Sequence, residues 1–317
     1  MGFEALLGNE RVKENLSRSI SRGRISHFYL ISGPEGAGKH TLAQLLAAAI
    51  LCKGDGRPCG TCPACRKVLG NGHPDYITID DPEKKTVPVD LIRQARADIY
   101  IQPNEADRKI YLFPRAQDMG VPGQNALLKV LEEPPAYGVF ILLTSNPQML
   151  LPTIRSRCTE LALTALPPET LTTALRSQYP DSAPDAISAA VQRSGGWLGQ
   201  ARAIMDAGAD LLPESAAFLQ AYAKRDACNM ILILVGMEKR GRDLFLKDLN
   251  QWMGILEGAL AYRSGASVYA PMAKELTAGR SAQELMEAIT TLQQTIEYAQ
   301  SNVSVGALCG NLAWALR

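Results

Sequence analysis

Four short runs of apolar, β-branched and aromatic residues punctuate the first half of the chain: HFYLIS at 27–32, DYITID at 75–80, RKIYLF at 108–113 and GVFILLTS at 138–145. Between them lie stretches with apolar positions at helical spacing: the run after Lys39, VDLIRQARADIYI at 89–101, and GQNALLKVLEE at 123–133, which Pro134-Pro135 stops. Strands that are apolar almost throughout, alternating with helices, predict a parallel sheet covered on both faces. This doubly wound α/β part is expected to end near residue 160. From 165 to 205 the pattern changes to short helices broken by Pro167-Pro168, Tyr179-Pro180 and Gly195-Gly196. From about 211 onward no strand pattern survives, and AAFLQAYAKRDACNMILILVGM, RDLFLKDLNQWMGILEGALAY and SAQELMEAITTLQQTIEYAQ carry long helical periods.

With 317 residues, 46% of them apolar, the chain can build two or three domains with real cores. Lys and Arg (33) nearly cancel Asp and Glu (32), so the net charge demands no polyanionic partner, and any nucleic-acid contact has to be local. The N-terminal MGFEALLGNERVKENL lacks an apolar core of signal-peptide length. The longest apolar run, LAQLLAAAILC at 42–52, is too short to cross a bilayer. A cytoplasmic protein is expected, in which seven cysteines stay reduced and a tight cysteine cluster becomes a metal question.

Three constellations carry chemistry. The first is GPEGAGKHT, from Gly33 to Thr41, placed between an apolar strand and an Ala/Leu-rich helix. Gly33, Gly36 and Gly38 let successive N–H groups curl around phosphate, the helix N-terminus adds positive potential, and Lys39 reaches the outer phosphates. Magnesium, however, needs Ser or Thr directly after the lysine, and His40 stands there. Thr41 is one place late, about 100° around a helix. The acidic residues that would hold magnesium and polarise water are also missing: RKIYLF is followed by Pro114, Arg115 and Ala116, and Asp118 reads as a capping or loop residue. The stretch reads as a phosphate loop kept from a nucleotide-binding ancestor, without turnover of its own. Binding of nucleotide without hydrolysis stays open.

The second constellation is LCKGDGRPCGTCPACRK. Cys52, Cys59, Cys62 and Cys65 can close a tetrahedron of thiolates around Zn²⁺, with no position left for substrate, so the ion would be structural. His73 is an alternative ligand but reads better as a loop histidine. Cys158, Cys228 and Cys309 have no ligand or base nearby in sequence and are expected to be ordinary buried cysteines. The third constellation, NALLKVLEEPPAYGVFILLTSNPQMLLPTIRSRC at 125–158, predicts a helix, a buried strand and a turn into a second helix that presents Arg155 and Arg157.

The order GPEGAGKHT, four cysteines, HPDY, NALLKVLEEPP and SRC resembles the clamp-loader branch of the AAA+ proteins, over residues 10–160. The cysteine module directly after the phosphate-loop helix is similar to that of bacterial DNA polymerase III loader subunits. The resemblance implies that SRC supplies an arginine finger, Arg157, acting in trans on a neighbour's ATP. It implies three domains: an AAA+-type module at 1–162 with the zinc module at 52–65, a helical lid at 163–208, and an all-helical collar at 209–317 through which subunits oligomerise. Gamma/tau-type subunits keep a magnesium-holding hydroxyl, an acidic pair and an arginine in the lid motif, and SGGWLGQARAI places Gly199 at that last position. The losses point to the delta-prime type. The implied partners are gamma/tau and delta subunits, the sliding clamp and primer-template DNA, in replication. Three alternatives stay open: a gamma/tau-type ATPase, an independent ATPase using Thr41, and a zinc-containing adaptor with no ATP-coupled role.

Overall fold

A computed structural model describes residues 2–209, 213–239, 241–265, 272–300 and 303–316. Five strands form one parallel sheet: β1 (Phe28–Ser32), β2 (Tyr76–Thr78), β3 (Lys109–Phe113), β4 (Gly138–Thr144) and β5 (Thr159–Ala162), in the order β2-β3-β4-β1-β5. The helices of this region are α1 (Glu10–Ser21), α2 (Lys39–Leu51), α3 (Pro63–Leu69), α4 (Val89–Asp98), α5 (Val121–Glu132) and the short α6 (Pro152–Arg155). The α/β class read from the sequence is what forms.

The strands are apolar throughout because both faces are covered. Every residue of β1, β3 and β4 is buried, and alternate positions go to different cores. Tyr29, Ile31, Ile110, Leu112, Ile141 and Leu143 pack with α1, α2 and α3, whereas Phe28, Leu30, Tyr111, Phe113, Phe140 and Leu142 pack with α4, α5 and α6. On the second face Phe28, in register with Phe140, stacks on it at 4.7 Å, and Tyr111 stacks on Phe140 at 5.3 Å, an aromatic ladder across three strands. The fifth strand lies outside the sequence reading. It is an edge strand with one buried residue, Leu161, and so leaves no apolar run.

After β5 come α7 (Pro168–Gln178), α8 (Pro184–Arg193), α9 (Leu198–Ala209), α10 (Pro213–Ala223), α11 (Ala227–Met237), α12 (Arg242–Arg263), α13 (Ala273–Gly279), α14 (Ala282–Gln300) and α15 (Val305–Ala315). Residues 211 and 212, where the sequence places the start of the last helical run, lie outside the described residues. The first predicted segment of that run is two helices. Arg225 takes φ 58° and the Asp226 carboxylate accepts from Asn229 N–H, capping a new helix. The chain has two compact units, one running to Leu171 and including Gly195–Gln200, the other comprising Thr172–Ser194 and the described residues from Ala201 on. The second unit has its own core, in which Phe218 stacks on Trp252 at 4.0 Å among Phe245, Leu249, Leu285 and Leu292.

Candidate nucleotide and metal sites

Parallel strands deliver their C-terminal ends to one edge of the sheet, where open α/β sheets place their ligands. β1 feeds the glycine loop directly. Gly36 (φ 78°) and Gly38 (φ 92°) adopt left-handed backbone, and Gly38 caps α2. Lys39 Nζ donates to Gly33 O at 2.7 Å and to Pro34 O at 2.8 Å, and burial holds its pKa below the ordinary lysine value. His40 is exposed, and Thr41, half-buried, follows it on α2.

The end of β3, two strands away, carries a cation where a magnesium site needs carboxylates. Arg115 follows Phe113-Pro114, and its Nη2 donates to Asp80 Oδ1 at 2.7 Å while Nε reaches the same carboxylate at 3.1 Å. It also donates to Asp81 O and Lys84 O, and it stands 3.6 Å from Asp118. The hydrogen bonds to Asp80 raise the Arg115 pKa further. Asp118 ends a 3₁₀ turn, Ala116–Asp118, as a surface partner of that arginine. The carboxylates nearest the end of β3, Asp80 and Asp118, are thus both paired with this arginine.

The four cysteines come together. Cys52 closes α2, Cys62 caps α3, and all four Sγ atoms lie within 4.8 Å of one another. Cys59–Cys65 and Cys52–Cys62 are each 3.9 Å apart. Four thiolates about 2.3 Å from a central Zn²⁺ are separated by about 3.8 Å, so the donor set fits a tetrahedral metal. Backbone N–H groups already point at the sulfurs: Gly54 N–H at Cys52, Cys62 N–H at Cys59 and Cys65 N–H at Cys62. The N–H groups of Cys62 and Thr61 bring the Cys59 thiol down to about 5, while burial pushes Cys65 up to about 12. His73 is not one of the group. Its Nδ1 accepts from Asp75 N–H at 3.1 Å, beside the buried Asp75.

Arg157 follows α6. Its Nη1 donates to Thr153 O at 3.1 Å and its Nη2 stands 3.5 Å from Glu132 at the end of α5, with two-fifths of the side chain exposed. Arg155 donates instead to Gln148 Oε1 at 3.0 Å. Of the three remaining cysteines Cys309 is buried, Cys158 is half-buried with burial raising its thiol to about 12, and Cys228 is exposed, which corrects its reading as a core residue. It sits in the first turn of α11, one turn before the exposed Ile231 and Leu232.

The family model described as DNA polymerase III, delta subunit, matches residues 8–167, just over half of the chain. The chain belongs to this family. Among curated relatives, the gamma/tau subunit of DNA polymerase III from Mycobacterium tuberculosis is 35% identical over 201 residues, 61% of this chain and 34% of that protein. The delta' subunit from Pseudomonas aeruginosa is 36% identical over 181 residues, 55% of this chain and 54% of that protein. The match thus spans about half or less of these relatives' length. Among solved structures, a DNA polymerase III gamma subunit-related protein from Thermotoga maritima superposes over 96% of this chain and 98% of its own, with TM-score 0.50 and 18% identity, which establishes likeness of fold alone. Membership in the DNA polymerase III delta-subunit family accords with the order of motifs from the glycine loop to SRC. Among the described residues no helix is long and apolar enough to cross a membrane.

Proposed function

We propose that this chain is a delta-prime-type subunit of a DNA polymerase III clamp loader, working in the cytoplasm. It completes the ATP site of a gamma/tau-type neighbour with Arg157 and turns over no ATP itself. The observation that carries the reading is the contrast between two arginines. Arg115 is locked by Asp80 at the edge where magnesium would be held, whereas Arg157 is exposed beside an exposed glutamate and the end of a short helix. An exposed pair of that kind is worth about 1 kcal/mol or less, so a triphosphate can outcompete Glu132 for the guanidinium. Arginines supplied in trans accelerate phosphoryl transfer by about 10³–10⁵. In this proposal residues 1–162 form the AAA+-type module, 163–208 a lid and 209–317 a collar that meets neighbouring gamma/tau and delta subunits. The assembly then places a sliding clamp on primer-template DNA. Cys52, Cys59, Cys62 and Cys65 hold a structural Zn²⁺ that stabilises the turn between α2 and α3.

Arg157→Ala tests the reading in a reconstituted loader with clamp and primed DNA. Folding and assembly should be unchanged, while ATP turnover at the served site falls at least about tenfold. Undiminished turnover would sink the role. The similarity to gamma/tau subunits favours a second reading, an ATPase in its own right. That reading requires magnesium-dependent hydrolysis by the isolated chain, lost in Lys39→Ala.

A further inference from the structure

Positive charge is concentrated in the part of the chain that leads into and out of β1. Residues 10–72 hold ten Lys and Arg against four Asp and Glu, and the rest of the chain holds 23 against 28, so a chain of net charge +1 is +6 here and −5 elsewhere. α1 ends where β1 begins, and α2 follows β1 and runs back along it, so the cysteine turn stands at that same edge of the sheet, opposite the glycine loop. Leu16 and Ile20 of α1 share a core with Cys59 and Cys62. Arg11, Arg18 and Arg22 are exposed and fall within about 40° of one another around α1, spanning about 16 Å, with the exposed Asn15 in the same row. Arg24 follows, and the cysteine turn adds the exposed Arg57 and Arg66. Among the described residues none of these six guanidinium groups pairs with a carboxylate, since Glu10 pairs with Lys13 and Glu105 with Lys67.

We propose that this face, α1 together with the cysteine turn, is a docking surface for the phosphate backbone of duplex DNA. The dipole of α1 favours cations in its last turn but opposes one in its first, where Arg11 stands, so helix stability does not account for the row. The planar fork of arginine matches phosphate oxygens, and the exposed Asn15, Ser17 and Ser21 offer further donors along the same helix. What the face lacks selects the partner. None of the exposed large apolar side chains among the described residues lies before Tyr100. A protein partner needs an aromatic or aliphatic anchor, a bilayer needs an apolar side to a basic helix, and a single strand needs exposed aromatics on which its bases stack. A duplex backbone needs cations and hydrogen-bond donors alone, and it is bound without regard to sequence. The proposal rests on the clamp-loader reading for DNA as the duplex, and deepens it with a contact that needs neither ATP nor Arg157.

Fluorescence anisotropy of the full chain, without nucleotide, against labelled duplex DNA tests this. Wild type should bind two unrelated sequences alike, with a dissociation constant of about 10⁻⁶–10⁻⁴ M near physiological salt. Arg11→Gln/Arg18→Gln/Arg22→Gln should weaken binding at least about tenfold and lower the slope of log affinity against log salt by about 1 for each arginine removed. Arg57→Gln/Arg66→Gln should lower that slope by about 2. All these side chains are exposed, so the thermal midpoint should stay at the wild-type value. Lys85→Gln/Arg93→Gln, which removes two exposed cations outside the face, serves as the control with wild-type binding. Absence of duplex binding, or unchanged binding by either set of arginine variants, overturns the face. Equal weakening by the control would mean that net charge alone draws the DNA, and overturns it too. Tighter binding of single strands, of a polyglutamate peptide or of pure phosphatidylserine vesicles would give the face to another partner. A chain that binds no duplex leaves the role of Arg157 in ATP turnover untouched, and a loader indifferent to Arg157→Ala leaves this binding untouched.

Discussion

Asp75 shows what a single side chain carries in this fold. It is fully buried, and its carboxylate accepts from Asn104 N–H at 2.6 Å, Glu105 N–H at 2.8 Å and Ala106 N–H at 3.0 Å, so one residue before β2 pins the turn before β3. Burial pushes its pKa up, but the three backbone donors outweigh that and leave it below the ordinary carboxylate value. Asp75→Asn turns an amide NH₂ toward N–H donors and should cost about 2–4 kcal/mol at neutral pH. Because the folded pKa is the lower one, this stabilisation is complete above the unfolded value, about 3.9, and is lost as pH falls through the folded value. Urea unfolding of both chains should therefore show a gap that is constant from pH 5 to 8 and narrows below about pH 4. A gap that widened in acid would refute the assignment. The sequence displayed Asp75 inside HPDY without disclosing this role, since the donors lie about 30 residues downstream and no local pattern links them. Arg115 was visible as a missing acid, but its partner Asp80 was not, for the same reason of distance in the chain.

At the level of elements, legibility followed the amount of apolar surface an element buries. The runs at 27–32, 108–113 and 138–145 became β1, β3 and β4 to within a residue, because strands buried on both faces leave unbroken apolar words. β5 buries only Leu161 and went unseen, and the break between α10 and α11 rests on the left-handed Arg225, a residue type with no turn signature. The convergence of the four cysteines was legible because all four lie within fourteen positions of the chain, so local turns alone bring the sulfurs within 4.8 Å of one another. The same geometry serves the helix: the Cys62 side chain, one of the four thiols that could hold a metal, is also the N-cap of α3, accepting from Cys65 N–H. The two duties separate by substitution. Cys62→Ser and Cys62→Ala should both abolish stoichiometric zinc retention, but in EDTA the serine variant, which keeps a capping oxygen, should be about 1 kcal/mol more stable. Equal stabilities in EDTA would mean that the cap contributes nothing.

The two compact units carry separate cores, and among the described residues the four-cysteine group that could hold a metal lies in one of them. Cys52 and Cys65 are part of the core that α1, α2 and α3 form with one face of the sheet, together with Leu45, Ala48 and Val68. The stacked Phe218–Trp252 pair belongs to the core of the other unit. A chain built this way need not unfold as one cooperative step. Metal that binds the native arrangement of thiolates stabilises only the unit that contains them, by mass action on that unit's folding. Scanning calorimetry should resolve two transitions. EDTA should lower the midpoint of one by several degrees and leave the other in place. The assignment can be read from Trp252: the near-UV signal of a fully buried, stacked indole should disappear with the transition that EDTA does not move. Loss of that signal in the EDTA-sensitive transition, or a single transition shifted as a whole, would mean that the units fold as one and that the metal supports both.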